Sequence, residues 1–218
     1  MQKIYFDHST FIWKQNLKSH FRKERLLEEA LRVIESLKDK VTHDGFGYFQ
    51  EDKDINFLGE IRINNEMDLV CQAGINACKK IHGTERNLPY NKVNTDAWVN
   101  VVRSVNPVQF QFNPEKYKIS DKFHNHVEIN KNNKGFFPDY TYVYYIQMPD
   151  VMEGEDGVLY FRGESDKEYY IKPEEGDLII MLGSTPHAPN NAPKSNVDRI
   201  VMAGNVGFEF IKKEKSLL

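Results

Sequence analysis

Apolar positions divide the chain into a helical first part and a strand-rich second part. Between Ser19 and Lys40, the residues Leu27, Ala30, Leu31, Ile34 and Leu37 recur every three or four positions with charged residues between them, which predicts an amphipathic helix. A second run, through Leu69, Val70, Ala73 and Ala77, predicts a helix over Glu66–Ile81. After Pro89 the period shortens. Segments 97–104, 108–112, 140–148, 157–161, 169–172, 177–182 and 199–210 are rich in β-branched and aromatic residues. Turn-forming clusters at 132–135, 153–157 and 173–176 separate several of them. This many short strands in so short a span predicts a jelly roll or barrel. Residues 1–94 are expected to form a helical, supporting region packed on the barrel, and 95–218 its β core, the two making one structural unit.

Composition narrows the function classes. The 218 residues include 29 basic and 32 acidic side chains, a net charge of −3, without the positive excess expected of a nucleic-acid backbone binder. Cys71 and Cys78 lie seven apart on one helix face, about 10 Å from each other at 1.5 Å rise per residue, too far for a disulfide. Two reduced thiols suit a reducing compartment. No stretch approaches the ~18 apolar residues of a membrane span, and the N-terminus has no apolar run of signal-peptide length. A soluble, cytoplasmic protein without membrane contact is the expectation.

Candidate chemistry concentrates at Phe123-His124-Asn125-His126-Val127-Glu128. If the segment is extended, alternation turns His124, His126 and Glu128 to one face, where a histidine and a carboxylate two apart can reach one cation. A further ligand must come from elsewhere. His187, just after the apolar run 177–182, stands at the mouth of an expected strand. His126, Glu128 and His187 would form a two-histidine, one-carboxylate face with three positions open on the metal, the arrangement of non-haem Fe(II) oxygen chemistry. For His124 the preferred role is lining the site; replacing Glu128 in a three-histidine set, or joining a four-ligand cupin-like set, are the alternatives.

Together, His126-Val-Glu128, the 140–146 run Tyr-Thr-Tyr-Val-Tyr-Tyr-Ile, Glu155-Asp-Gly-Val-Leu-Tyr-Phe161, Glu175-Gly-Asp-Leu-Ile-Ile-Met181, Pro186-His187 and Asp198-Arg199-Ile resemble the Fe(II)/2-oxoglutarate-dependent oxygenase superfamily, its prolyl-hydroxylase-like group above all. The likeness spans roughly residues 95–210. It implies a mainly β fold, a double-stranded β-helix (jelly roll, cupin-like barrel) flanked by α-helices. It also implies Fe(II), 2-oxoglutarate as cosubstrate and O2. The reaction would hydroxylate a C–H bond of a peptide or small-molecule substrate, for example a prolyl side chain, with release of succinate and CO2. Glu128 departs from the commoner Asp of the superfamily.

By the same resemblance Arg199, twelve after His187, binds the distal carboxylate of 2-oxoglutarate, as the fork of a guanidinium suits. Alternation sets Arg199, Val201, Ala203 and Asn205 on one face, with two small residues between two polar ones. Tyr145, which would share an inward face with Thr141 and Val143, stands where such enzymes hydrogen-bond that carboxylate. Tyr117 and Asn205 are further candidates for the cosubstrate. The loop 129–139, with Phe136 and Phe137, is either a lid or a plain connection. Two other functions compete: a cupin-type dioxygenase or isomerase working without 2-oxoglutarate, and a non-catalytic jelly-roll binding module.

Overall fold

The computed structural model describes residues 1–37, 42–43, 48–49, 66–102, 123–127, 137–190, 192 and 194–210. In chain order the strands and helices are β1 (Gln2–Tyr5), β2 (Phe11–Asn16), α1 (Lys23–Leu37), β3 (Thr42–His43), β4 (Tyr48–Phe49), α2 (Glu66–Ile81), β5 (Tyr90–Val102) and β6 (Tyr140–Gln147). There follow β7 (Leu159–Arg162), β8 (Glu168–Ile171), β9 (Asp177–Leu182), β10 (His187–Pro189) and β11 (Arg199–Phe210). Two antiparallel sheets result, one of order β1-β2-β9-β6-β11-β5-β4-β3 and a smaller one of order β10-β7-β8. This is the double-stranded β-helix expected from the sequence.

Three strands explain why so much of the second half reads as continuous apolar sequence. Every residue of β6 except Gln147 is buried, because the strand is covered on both faces. Tyr140, Tyr142, Tyr144 and Ile146 face the helices, together with Leu178 and Ile180 of β9 and Ile200, Met202 and Phe208 of β11. The alternate residues Val143 and Tyr145, Ile179 and Met181, and Val201 and Ala203 face inward, against Leu159 and Phe161 of the smaller sheet.

The helices cover the outer face of the large sheet. In α1 the buried seam runs through Leu26, Ala30 and Val33, whereas Leu31 is about half exposed. Expectation put Leu31 in the seam; the helix is turned so that Leu26 reaches the sheet instead. Its neighbour α2 buries Met67, Val70, Cys71, Gly74, Ile75, Cys78 and Ile81 at three- and four-residue intervals. Gly74 is required by the close approach, since a Cβ there would lie 2.6 Å from the Tyr142 ring. Glu29 joins the two helices by accepting the amide hydrogens of Glu66 (3.3 Å) and Met67 (3.0 Å), donors otherwise orphaned at the first turn of α2. Cys71 and Cys78 are both free and buried, and burial pushes the Cys71 thiol up to about 12.

The hairpin β1–β2 was not legible in the apolar pattern. It adds two strands to the edge of the large sheet, where β2 pairs with β9 in the register Trp13↔Ile180 to Asn16↔Asp177. Its turn is held by the Asp7 carboxylate, which accepts the amide hydrogens of Ser9 and Thr10. At the other end of that pairing the buried Asp177 carboxylate meets Lys14 at 2.7 Å and accepts a bond from Asn16 at 3.0 Å. Strand β5 begins at Tyr90, earlier than its apolar pattern indicates, and pairs with β11 along almost its whole length. The segment 108–112 lies outside the described residues.

Candidate metal centre

At the mouth of the barrel His124 and His187 face each other as an isolated antiparallel bridge. Each donates its backbone N–H to the other's carbonyl, at 3.1 and 2.9 Å. The extended conformation expected for 124–128 ends there. His126 and Val127 turn into a helical conformation because both amides donate to one acceptor, the carbonyl of Gly183 (2.9 and 3.2 Å). His126 is thereby carried over the end of β9 and lies parallel to His187, ring centroids 5.1 Å apart and planes within 1°. The His124 ring lies 4.4 Å from that of His187 and 5.4 Å from that of His126.

One ligand nitrogen from each of His124, His126 and His187 lies within 4.8 Å of the other two. His126 and His187 are buried and His124 is half-buried. The Nδ1 of His187 sits 2.9 Å from the Thr185 carbonyl, an acceptor only, so Nδ1 carries the hydrogen and Nε2 presents its lone pair. Fixing one ring nitrogen in this way is how proteins orient a metal-ligating imidazole. Burial and the neighbouring His124 hold the His187 imidazole down to about 3, against the modest opposing pull of Thr185. Burial, then His187 and His124, likewise hold His126 well below the ordinary range. Three imidazoles, two of them buried and held neutral, each with a ring nitrogen within 4.8 Å of the others, are a donor set suited to a divalent transition metal. Glu128, the carboxylate expected with them, lies outside the described residues, as does Tyr117.

Away from the ligands the interior is built from alternate residues of β5, β6 and β11. Asn205, Ala203 and Val201 of β11 stand opposite Thr141, Val143 and Tyr145 of β6 and opposite Asp96, Trp98 and Asn100 of β5. Trp98 was not among the residues singled out from the sequence. It stacks on His126 with centroids 5.4 Å apart, and so marks the level of Ala203 and Asn205 as the metal end. Its parity with Asn100 and Asp96 in β5 is the only trace of this in the sequence. The Asn205 side-chain carbonyl accepts the Thr141 hydroxyl at 2.9 Å.

Arg199 lies at the opposite end, four residues or about 13 Å along the strand from Ala203. It is 3% exposed, donates to the Asn190 carbonyl at a long 3.3 Å, and its Nε has no hydrogen-bond partner. Among the described residues no carboxylate lies within ion-pair distance of it. Burial lowers its proton affinity, with Tyr145 acting in the opposite direction. Tyr145 is itself buried, and its hydroxyl is pushed up by that burial against the pull of Arg199. A buried guanidinium is costly without an anionic partner, and among the described residues Arg199 has none. The loop 129–136 is outside the described residues; Phe137, at its end, is exposed.

A barrel with histidines converging at its mouth and a cation deep inside is the class that fold and site define. By fold the chain is similar to a prolyl hydroxylase from Trichoplax adhaerens, solved in complex with a hypoxia inducible factor oxygen degradation domain peptide fragment. The two share 15% identity over 91% of this chain and 83% of that one, with a TM-score of 0.58. Looser likenesses link it to a Pseudomonas putida prolyl-4-hydroxylase (12% identity, 92% of each chain, TM-score 0.46). An oxidoreductase of the 2OG-Fe(II) oxygenase family from Burkholderia pseudomallei is comparably distant (11% identity, 90% of this chain and 84% of that one, TM-score 0.46). Neither protein families nor curated proteins match the sequence. The resemblance drawn from the sequence is thus borne out at the level of fold.

Proposed function

We propose that the protein is a non-haem Fe(II)- and 2-oxoglutarate-dependent oxygenase that hydroxylates a C–H bond. The observation that carries this reading is the pairing of two features in one barrel: imidazoles converging at the mouth, and the buried guanidinium of Arg199 inside it, which meets no carboxylate among the described residues. His126, His187 and Glu128 would hold the iron. Bound there, iron supplies the activation of O2 that couples decarboxylation of 2-oxoglutarate to succinate and CO2 with hydroxylation of the substrate.

The chain's own residues have separate tasks. Thr185 fixes the His187 ring so that Nε2 stays a donor. Arg199, with Tyr145 beside it, takes the distal carboxylate in a bidentate, charge-assisted contact, and Ala203 and Val201 leave room for the carbon chain between the two ends. Thr141 orients the Asn205 amide at the metal end. Trp98 covers one face of His126 and limits the access of water there.

The peptide carried by the Trichoplax protein makes a protein side chain such as proline the first substrate class to try. Free, buried Cys71 and Cys78 suit the cytoplasmic location expected from the sequence. No described helix is long and apolar enough to cross a membrane. The three-histidine group would also suit a cupin-type enzyme without 2-oxoglutarate, but that reading has no use for a buried, anion-seeking Arg199. Succinate release, measured with iron and 2-oxoglutarate against peptides, nucleic acids and small molecules, tests the proposal. Turnover is expected with one class and none with His187→Ala. Succinate formation that persists in His187→Ala would end the reading.

A further inference from the structure

We propose that Asp139 is a positioning residue for the metal centre, and that Arg86, just beyond the end of α2, holds it in place. The inference rests on reading the histidine group as a metal site and is independent of the cosubstrate.

The turn that carries His126 is held by the Gly183 carbonyl, which accepts the amide hydrogens of His126 and Val127. Gly183 in turn donates its own amide hydrogen to the Asp139 carbonyl at 3.0 Å. That bond lies one residue beyond the Tyr140↔Leu182 pair, where the β6–β9 ladder ends. The approach here is too close for a side chain: a Cβ on Gly183 would lie 2.2 Å from the Pro138 carbonyl oxygen. Gly183 is thus wedged against the chain at 138–139, and a shift of Asp139 passes to it with little slack.

Asp139 is pinned at three further points. Its amide donates to the Val206 carbonyl at 2.9 Å. One carboxylate oxygen accepts the Phe208 amide hydrogen at 2.8 Å, and the other accepts Arg86 Nη1 at 2.6 Å. The π-helical turn His82–Arg86, which follows α2, supplies more than that ion pair. It lays the buried His82 ring on Phe208, centroids 4.0 Å apart, and brings the Arg86 guanidinium to 5.6 Å from the Tyr140 ring centre. One turn therefore grips the residues on both sides of the carboxylate. With 38% of the Arg86 side chain and 16% of the Asp139 side chain exposed, the ion pair adds little stability by itself, so its weight lies in the geometry it sets. The path from Arg86 through Asp139 and Gly183 joins the helical layer to a metal ligand.

Co(II) and Mn(II) affinities, and the visible spectrum of the Co(II) protein, are measured for wild type, Asp139→Ala, Asp139→Asn, Arg86→Met, Arg86→Lys and the double variant combining Arg86→Met with Asp139→Ala. Lys23→Met, which breaks the ion pair with Glu175 at the far end of β9, controls for general loosening. Every variant is read well below its melting temperature. Groups that orient a ligating histidine carry about 10–100-fold in metal affinity; one hydrogen bond further out, Asp139→Ala should lose about tenfold. Its Co(II) bands should shift in position or intensity. Asp139→Asn keeps one acceptor and should lose less. Arg86→Met should lose about threefold, whereas Arg86→Lys, which keeps the cation, should stay within about twofold of wild type. Because Arg86 acts through Asp139, the double variant should bind no more weakly than Asp139→Ala alone.

Wild-type affinity with an unchanged Co(II) spectrum in folded Asp139→Ala would overturn the proposal and leave the metal centre standing. So would a loss in Lys23→Met equal to that in Asp139→Ala, since loosening anywhere would then suffice. Fully additive losses in the double variant would remove Arg86 from the path and overturn that half. If Asp139→Ala does not fold, Asp139→Asn and Arg86→Met carry the same comparison. A wild-type chain that binds neither metal would end the metal-centre reading and this inference with it.

Discussion

Replacing Arg199 by methionine should separate the stability of the ligand-free protein from its ability to hold a dicarboxylate. Among the described residues the guanidinium, 3% exposed, makes one long hydrogen bond, and its Nε has no partner. Exchanging buried ionic groups for apolar side chains of similar volume is often neutral or stabilising by about 1–4 kcal/mol. Arg199→Met should therefore fold and melt at or above the wild-type temperature. Ligand binding should change in the opposite direction. Truncating one partner of a buried, hydrogen-bonded charge pair costs about 2–5 kcal/mol, and 4.1 kcal/mol corresponds to about a thousandfold in affinity. At a concentration one hundred times the wild-type Kd, N-oxalylglycine stabilises wild type by about 2.7 kcal/mol. At about 2–4 °C per kcal/mol for a domain of this size, that is a shift of roughly 5–11 °C. A thousandfold weaker variant at the same concentration gains less than about 0.1 kcal/mol, and its melting curve should not move. Differential scanning fluorimetry with Mn(II) present reads both quantities. A ligand shift in Arg199→Met as large as in wild type would refute the role of the guanidinium, and a large loss of stability in the ligand-free variant would show that another group of the chain already compensates it.

Two further predictions concern the residues around it. Folding holds His187 down to about 3 from an ordinary 6.5, and holds His126 low as well, so below pH 6.5 the unfolded chain binds more protons than the folded one. The metal-free protein should therefore keep its full stability above about pH 6.5 and lose a few kcal/mol as pH falls toward 3. His187→Gln should flatten the slope in urea titrations run across that range; an unchanged slope would mean the imidazole is not neutral and buried. Thr141→Val keeps the shape of the side chain but leaves the buried Asn205 carbonyl without its 2.9 Å donor. It should lower stability by about 1–3 kcal/mol, seen as a lower urea midpoint at unchanged slope, and an unmoved midpoint would count against that bond.

Strand parity and element type could be read from the chain because they depend on neighbours in sequence. The apolar runs at 140–148, 177–182 and 199–210 are strands, and alternation alone set Arg199, Val201, Ala203 and Asn205 on one face, as the register against β5, unbroken over those residues, bears out. Glu66–Ile81 is helical over the span expected. What lies across from what could not be read, since that depends on segments brought together over long separations. Leu26 rather than Leu31 reaches the sheet because the helix is rotated by its packing on β6 and α2, which sequence periodicity leaves free. The hairpin β1–β2 finds its partner in β9, over 160 residues away, and nothing local announces that pairing.

The metal centre divides in the same way. Residue type and spacing marked His126 and His187 as candidates, and the family resemblance implied Arg199 as the partner of a carboxylate. Only the tertiary structure turned His126 out of the strand onto the Gly183 carbonyl, brought Trp98 onto its face, and set His124 opposite His187. The physical reason is that donor chemistry belongs to each side chain, whereas convergence on one point belongs to the pairing of β7 with β10 and to the turn at 183–186, and such pairing is decided by the whole folded chain.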